Sequence, residues 1–348
     1  MNDNVNLESL LYSYYIKYES LYRMSESLTN INNNINIYID LFDMLKPLYT
    51  NNYYTNKKFL ITASIINLAA HLRQYFWTRH RIWARIYFVY GTCNTNNHIQ
   101  YYPEFSNNNI QNTVNFITNN QFINNQLELV KILSAYIPNV YFIKRNTHCA
   151  MFIFDDIYKK TNETAIIVSK DKYLYQLPAL LNNTIIFRPK KRNGEDISYY
   201  VNNNNVFKMF YSKASPETIN LLSNINTKLL SVLIALNGFP SYNMKSTMNI
   251  NTAANFILNA IKDNRILNKN ITDIDYLYKQ LYDIEQYIDS ESFKLRFYAV
   301  DLLVQFRLYN SSIESKDITW NIDLNDPNTV KNINNKYFVD VPLDLNSL

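Results

Sequence analysis

The stretch Ala165-Ile-Ile-Val-Ser-Lys-Asp-Lys-Tyr-Leu-Tyr-Gln-Leu177 decides the fold class. Its first four residues are apolar, three of them β-branched, and polar residues flank them, the pattern of a short strand over Ala165–Ser169. Asp171 then opens a short helix over Asp171–Gln176, where an acidic side chain can cap the first free N–H groups.

The same alternation continues outward on both sides. Strands are expected at Ile35–Leu41, Arg85–Tyr90, Val140–Ile143 and Thr184–Phe187, and helices near Asp43–Tyr49 and at Lys58–Arg81, Asn125–Ala135 and Cys149–Lys160. Strands that alternate with helices imply an α/β domain with a mainly parallel sheet flanked by helices. Asn94–Asn120 is polar and reads as a loop with some helix. From Pro216 onward helical periodicity dominates, at Pro216–Asn224, Thr227–Leu236, Thr252–Ile261, Asp273–Tyr287 and Ser292–Asn310. The expected organisation is a helical extension over 1–34, the α/β domain over 35–212, a helical subdomain over 213–310 and a polar arm over 311–348. There is no internal repeat.

Composition bounds the function classes. Among 348 residues there are 30 Tyr but only 3 Gly and 9 Pro. Asn, Tyr, Ile and Lys have A/T-rich codons, and Gly and Pro have G/C-rich ones, so an AT-rich genome accounts for the bias and points to a viral host context such as a phage. With three glycines no phosphate-cradling G-x-x-x-x-G-K-[ST] loop can form, and neither G-x-S-x-G nor H-E-x-x-H occurs. The four histidines, His71, His80, His98 and His148, show no ligand spacing, and His148 beside Cys149 shows no orienting partner. Cys93 and Cys149 are the only cysteines, which argues against structural zinc and against a disulfide framework. No apolar run reaches the length of about 18 residues that a membrane span requires, and the polar start carries no signal-peptide core. The expected location is a virion or the host-cell cytoplasm.

The net charge of +5 is mildly basic and concentrates in two places. Arg73, Arg79 and Arg81 interleave with Tyr75, Phe76, Trp77 and Trp83, a mixture suited to single-stranded nucleic acid, although on a long helix those aromatics also suit a core. Arg188, Lys190, Lys191 and Arg192 form the second cluster, whose default reading is a solvated turn.

Three segments in order carry a resemblance. The first is Thr147-His-Cys-Ala-Met-Phe-Ile-Phe-Asp-Asp-Ile157, preceded by Ile137-Pro-Asn-Val-Tyr-Phe-Ile143. The second is the opening stretch. The third is Ala235-Leu-Asn-Gly-Phe-Pro-Ser-Tyr-Asn-Met244, followed by Thr247-Met-Asn-Ile-Asn-Thr-Ala-Ala254. Together they resemble the 5′-nuclease (flap-endonuclease, PIN-like) family, which reads E-A-D-D at a helix start, then V-x-S-x-D-x-D-L-x-Q-L, then A-L-x-G-D-x-S-D-N-I and G-x-G-x-K-T-A at a helix–three-turn–helix. The agreement spans about residues 35–262. Ile37-Tyr-Ile-Asp-Leu41 resembles the first strand with its catalytic acid, and Arg85-Ile-Tyr-Phe-Val-Tyr-Gly91 the second.

The resemblance implies a ring of carboxylates holding Mg²⁺, a cation that takes hard oxygen ligands, for phosphodiester hydrolysis. Here Asp40, Asp155, Asp156 and Asp171 remain as remnants. Tyr90, Ile153, Tyr173, Phe239 and Tyr242 stand at lost positions, and none of these can supply the missing charge. Three of these acids also have a structural reading: Asp156 at a helix N-terminus, Asp171 and Asp40 as caps. Thr247, Asn249 and Asn251 replace the glycines and lysine that would approach duplex phosphates. The expectation is therefore a pseudo-nuclease with no catalytic residues, no bound metal and no cofactor, Mg²⁺ entering only where the remaining carboxylates still form a site. Its partners would be other proteins of a larger assembly, with DNA as a further candidate and no membrane. The rival readings are a nucleic-acid-binding subunit that does not cleave, and a divergent active nuclease.

Overall fold

The structure, a computed structural model, describes residues 18–28, 34–45, 58–91, 101–105, 127–131, 137–145, 147–160, 162–181, 183–192, 195–266, 274–281 and 284–310, with 31, 124 and 134 besides. The expected arm over 311–348, most of the extension over 1–34 and most of the polar stretch over 94–120 lie outside the described residues.

Six strands form the sheet: β1 (Ile35–Asp40), β2 (Arg85–Gly91), β3 (Val140–Arg145), β4 (Thr164–Val168), β5 (Thr184–Arg188) and β8 (Tyr199–Val201). Their order is β3-β2-β1-β4-β5-β8, parallel except for the antiparallel edge strand β8. The chain leaves β1 toward β2 and β3, then returns to lay β4 on β1's other side. The carboxyl ends of β1 and β4 thus border a topological switch point, the place where open α/β sheets commonly bind ligands. A small ribbon of β6 (Lys191–Arg192) and β7 (Glu195–Asp196) follows β5 and is one of the elements that periodicity does not announce, as is β8.

Strand alternation sends side chains to two apolar layers. Ile35, Ile37 and Ile39 face one layer with Ile86, Phe88 and Tyr90, covered by the long helix α3 (Lys58–His80). Tyr38, Tyr87, Val89, Ala165 and Ile167 face the other, covered by α4 (Cys149–Lys159) and by the later helices. The second layer runs without a break from Tyr38 to Leu302. The expected boundary at 212/213 is thus a change in element type, and both sides share one core. The helices α1 (Tyr18–Glu26) and α2 (Leu41–Met44) lie N-terminal to α3, and α5 (Gln176–Leu180) and α6 (Val206–Phe210) flank β5 and β8 in sequence.

In the helical part, α7 (Pro216–Leu222), α8 (Leu230–Asn237) and α9 (Ile250–Lys262) match the expected helices closely. The two longer ones break. Asp273–Tyr287 is expected as one helix, but α10 (Ile274–Gln280) is followed by a separate 3-10 turn at Ile284–Gln286. Ser292–Asn310 divides into α11 (Ser290–Val300) and α12 (Leu302–Asn310) at Asp301. Asp301 is extended (ψ 120°), accepts from Ser231 Oγ at 2.7 Å, and caps α12 through Val304 N at 2.9 Å. A tertiary hydrogen bond thus decides a break that helical periodicity hides.

Two of the scarce glycines are needed where they stand. Gly238 ends α8 with φ 87°, a left-handed backbone that glycine adopts without steric cost. At Gly91 a Cβ would lie 2.4 Å from Cys149 N and 2.5 Å from Thr147 O. Glycine there lets the start of α4 rest on the carboxyl end of β2.

Candidate active site at the carboxyl edge of the sheet

Asp40 is the last residue of β1 and is almost fully buried. It caps α2 through Asp43 N at 3.3 Å and accepts from Ser169 Oγ at 2.8 Å. Ser169 follows β4, and its hydroxyl oxygen also accepts from Asp171 N at 3.0 Å. Asp171 in turn caps the 3-10 turn Lys172–Tyr175 through Tyr173 N at 2.9 Å. Asp40 and Asp171 therefore both cap the element that follows them.

The remaining oxygen of Asp171 is taken from two sides. Oδ2 pairs with His148 Nε2 at 2.9 Å and accepts from Tyr242 OH at 2.7 Å. His148 is itself the cap of α4, its Nδ1 accepting from Ala150 N at 3.1 Å. That bond makes Nε2 the ring nitrogen that carries a proton toward Asp171. Tyr173 lies edge-on to His148 with centroids 5.0 Å apart, and Phe239 packs on Tyr242 at 4.8 Å. Tyr173, Phe239 and Tyr242 thus enclose the pair in aromatic surface.

Electrostatics follow from this packing. Burial raises the Asp40 carboxyl to about 7, helped by Asp43 and Asp171 and opposed by His148 and Ser169. Burial alone would lower the His148 imidazole, but its bond to Asp171 and the charges of Asp171, Asp40 and Asp43 outweigh this and raise it. Asp171 is moved below its ordinary value, since the His148 bond and charge with the Tyr173 and Tyr242 hydrogen bonds outweigh the burial that opposes them.

These residues do not fit a divalent cation. Mg²⁺ needs free carboxylate oxygens. Here donors from Ser169, His148 and Tyr242 point at the oxygens of Asp40 and Asp171 that a metal would use. Among the described residues no group of three or more His, Cys, Asp or Glu side chains is placed to hold a metal. An imidazole and two hydroxyls donate hydrogen bonds to these two carboxyls.

Several expected placements need correction. Asp155 and Asp156 are not at a helix start. They lie in the second turn of α4, where Asp155 pairs with Lys159 at 2.6 Å, and Asp156 pairs with Lys160 at 2.6 Å and accepts from Tyr38 OH at 2.6 Å. The start of α4 is held by His148 and Cys149 instead. Ile153 is plain core. Tyr90 sits on the opposite face of the sheet, packed against Phe42 at 6.3 Å, because Asp40 shares its face with Val89 in the register. Tyr173, Phe239 and Tyr242 do gather at the site.

The basic residues also separate. Arg73 is fully buried and donates to the carbonyls of Ala84 (2.8 Å), Pro138 (3.3 Å) and Asn139 (2.8 Å), so it cannot contact a nucleic acid. Arg79 and Arg81 are exposed. Arg188 is held inside by Tyr175 OH at 2.9 Å and lies over the Tyr199 ring, Lys190 is exposed, and the side chains of Lys191 and Arg192 lie outside the described residues. Around α9, Thr247 Oγ1 donates to Leu236 O at 2.7 Å, Asn249 caps α9 at 2.9 Å, and Asn251 accepts from Thr218 at 2.7 Å. All three side chains serve the fold.

Sequence reasoning missed His148 and Asp43. The one signal for His148 was its position immediately before a helix start, since its partners Asp171 and Tyr242 are 23 and 94 residues away. Asp43, three residues beyond Asp40, bonds Lys170 N at 2.6 Å and ties α2 to the turn after β4.

No protein-family model matches the chain, and no curated protein matches it. Among solved structures it is similar to the T5 D15 protein co-crystallized with metal ions, at 13% identity over 78% of this chain and 91% of that one, with a TM-score of 0.49. It is similar to a mutant of T5 5′-exonuclease at 13% identity, over 79% and 90% of the two chains, with a TM-score of 0.47. The chain is likewise similar to T5 5′-exonuclease with bound zinc, at 14% identity over 79% and 97%, with a TM-score of 0.43.

Proposed function

We propose that this chain is a non-catalytic protein on a 5′-nuclease scaffold, with a structural or interaction role in a viral or replication assembly. One observation carries the reading. The two surviving acids at the switch point, Asp40 and Asp171, are consumed by Ser169, His148 and Tyr242. Metal-assisted phosphodiester hydrolysis needs those oxygens on the ions. The AT-rich composition supports the viral context.

Incubating the full chain with a 5′-flap DNA and Mg²⁺ or Mn²⁺ tests the claim, with Asp171→Ala as control. No cleavage is expected from either protein. Metal-dependent cleavage by the natural chain that disappears in Asp171→Ala would overturn the proposal and favour a divergent nuclease.

A further inference from the structure

The opposite edge of the sheet carries a different kind of site. Trp77 in the last turn of α3 and Trp83 just before β2 are both exposed, at 43% and 41%, and their rings meet at 83° with centroids 5.9 Å apart. Arg79 and Arg81 flank them. The Arg81 guanidinium lies over Trp77 at 5.9 Å and that of Arg79 over Tyr22, itself 38% exposed, at 5.3 Å. Neither arginine pairs with a carboxylate among the described residues, while the nearby Glu19 is engaged by Arg23. Glu26 lies near His80. Exposed indoles beside cations form a patch of two chemistries, flat apolar faces and positive charge.

We propose that Trp77, Trp83, Arg79 and Arg81 form a binding platform for single-stranded nucleic acid, at the amino ends of β2 and β3 and remote from the carboxyl-edge site. The backing of Trp83 selects the occupant. Arg73 is fully buried and its guanidinium lies over the Trp83 ring, 4.9 Å from the centroid, while Trp83 itself is exposed. A lysine or arginine from a protein partner placed on the open side would be repelled by Arg73. A neutral flat ring is not, and it gains from stacking. Arg79 and Arg81 then stand where a phosphate adjoining a stacked base would need a cation. Neutral ring and anion together describe a nucleotide strand whose bases are unpaired. Duplex DNA buries its base faces and leaves no ring free to stack on an indole.

The backbone supplies a variant that separates binding from folding. Arg81 ends α3 with φ 60°, in the left-handed region, with Arg81 N on Trp77 O at 3.0 Å and Ile82 N on Phe76 O at 3.4 Å. Glycine is the residue such a helix end favours. Arg81→Gly therefore removes the cation and relaxes the fold.

The platform is independent of the proposed loss of cleavage, and its test reads binding only. Fluorescence anisotropy of a labelled oligo(dT) of about 12 nucleotides would be followed against the full chain at low and moderate salt. Binding that weakens with salt is expected, falling about tenfold in Trp77→Ala and in Trp83→Ala and about fivefold in Arg81→Gly. No binding of the oligonucleotide at low salt would overturn the proposal. So would equal binding by all three variants and the natural chain, an outcome that leaves the patch to a protein partner.

Discussion

The two edges of one sheet handle buried charge in opposite ways. At the carboxyl edge the buried groups are carboxyls, and Ser169, His148 and Tyr242 donate to them from three different elements. At the amino edge the buried group is a cation, Arg73, and it donates to three main-chain carbonyls. The carboxyl edge satisfies its charges inside and closes over with aromatic rings. At the amino edge Arg73 is satisfied inside, and further arginines with two indoles remain in solvent. The proposed lack of cleavage and the proposed binding platform therefore stand on opposite ends of the same strands and can be tested separately.

The comparison breaks first, and hardest, at Arg73. Arg73→Ala takes a donor from the carbonyls of Ala84, Pro138 and Asn139, of which that of Ala84 is buried and that of Asn139 keeps Ile86 N, and it opens a cavity, at a cost of about 4 kcal/mol, which urea denaturation would report as a lower midpoint with unchanged slope. A loss below about 1 kcal/mol would mean the amino edge does not depend on this cation. At the carboxyl edge, His148→Ala strips Asp171 of its main partner and uncaps α4, and is expected to cost about 3 kcal/mol at pH 6. His148→Gln keeps a donor and should recover part of that loss.

The pH dependence sharpens the contrast. Asp40 has a raised folded value of about 7, so its contribution is fully present below its ordinary value of 3.8 and is lost as pH rises toward 7. His148 is also raised, so its contribution is present below 6.5 and is lost as pH rises through its higher folded value. Asp171 is lowered, so its contribution is present above 3.8 and disappears as pH falls through its folded value. Thermal unfolding should therefore show greatest stability in mildly acidic buffer and a decline through neutral pH. Asp40→Asn should flatten the part of that decline below pH 7, and an unchanged profile would refute the assignment.

The smallest effect belongs to Arg81. Replacing a left-handed arginine by glycine removes a steric penalty of about 1 kcal/mol, so Arg81→Gly should match or slightly exceed the natural chain in stability. A measured destabilisation would show that Arg81 has a structural role and would remove it as a clean probe of the platform.

Much of this was legible in the residues. The strand at Ala165 stands out because β-branched residues in a short run between polar ones have few other uses. The long helix Lys58–His80 is nearly the expected Lys58–Arg81, ending one residue earlier because Arg81 turns left-handed. The caps at Asp40 and Asp171 were readable because a cap and its N–H acceptor site are local. Asp155 and Asp156 do not stand at a helix start as the resemblance implies, because the helix begins at Cys149, where its periodicity already places it. Tyr90 was misplaced because one step along a strand reverses the face.

The sequence alone determined the alternation of strand and helix and the α/β class with its mainly parallel sheet. Those follow from local propensity, period and composition, which each short segment carries by itself. Only the tertiary structure decided that His148 and Tyr242 occupy the oxygens of Asp171, that Tyr90 faces away from Asp40, and that Trp77 and Trp83 stay in solvent while Tyr75 and Phe76 are buried. The physical reason is distance along the chain. Register, helix starts and burial are set by partners up to 129 residues apart, and no local pattern encodes which of two faces a side chain will find.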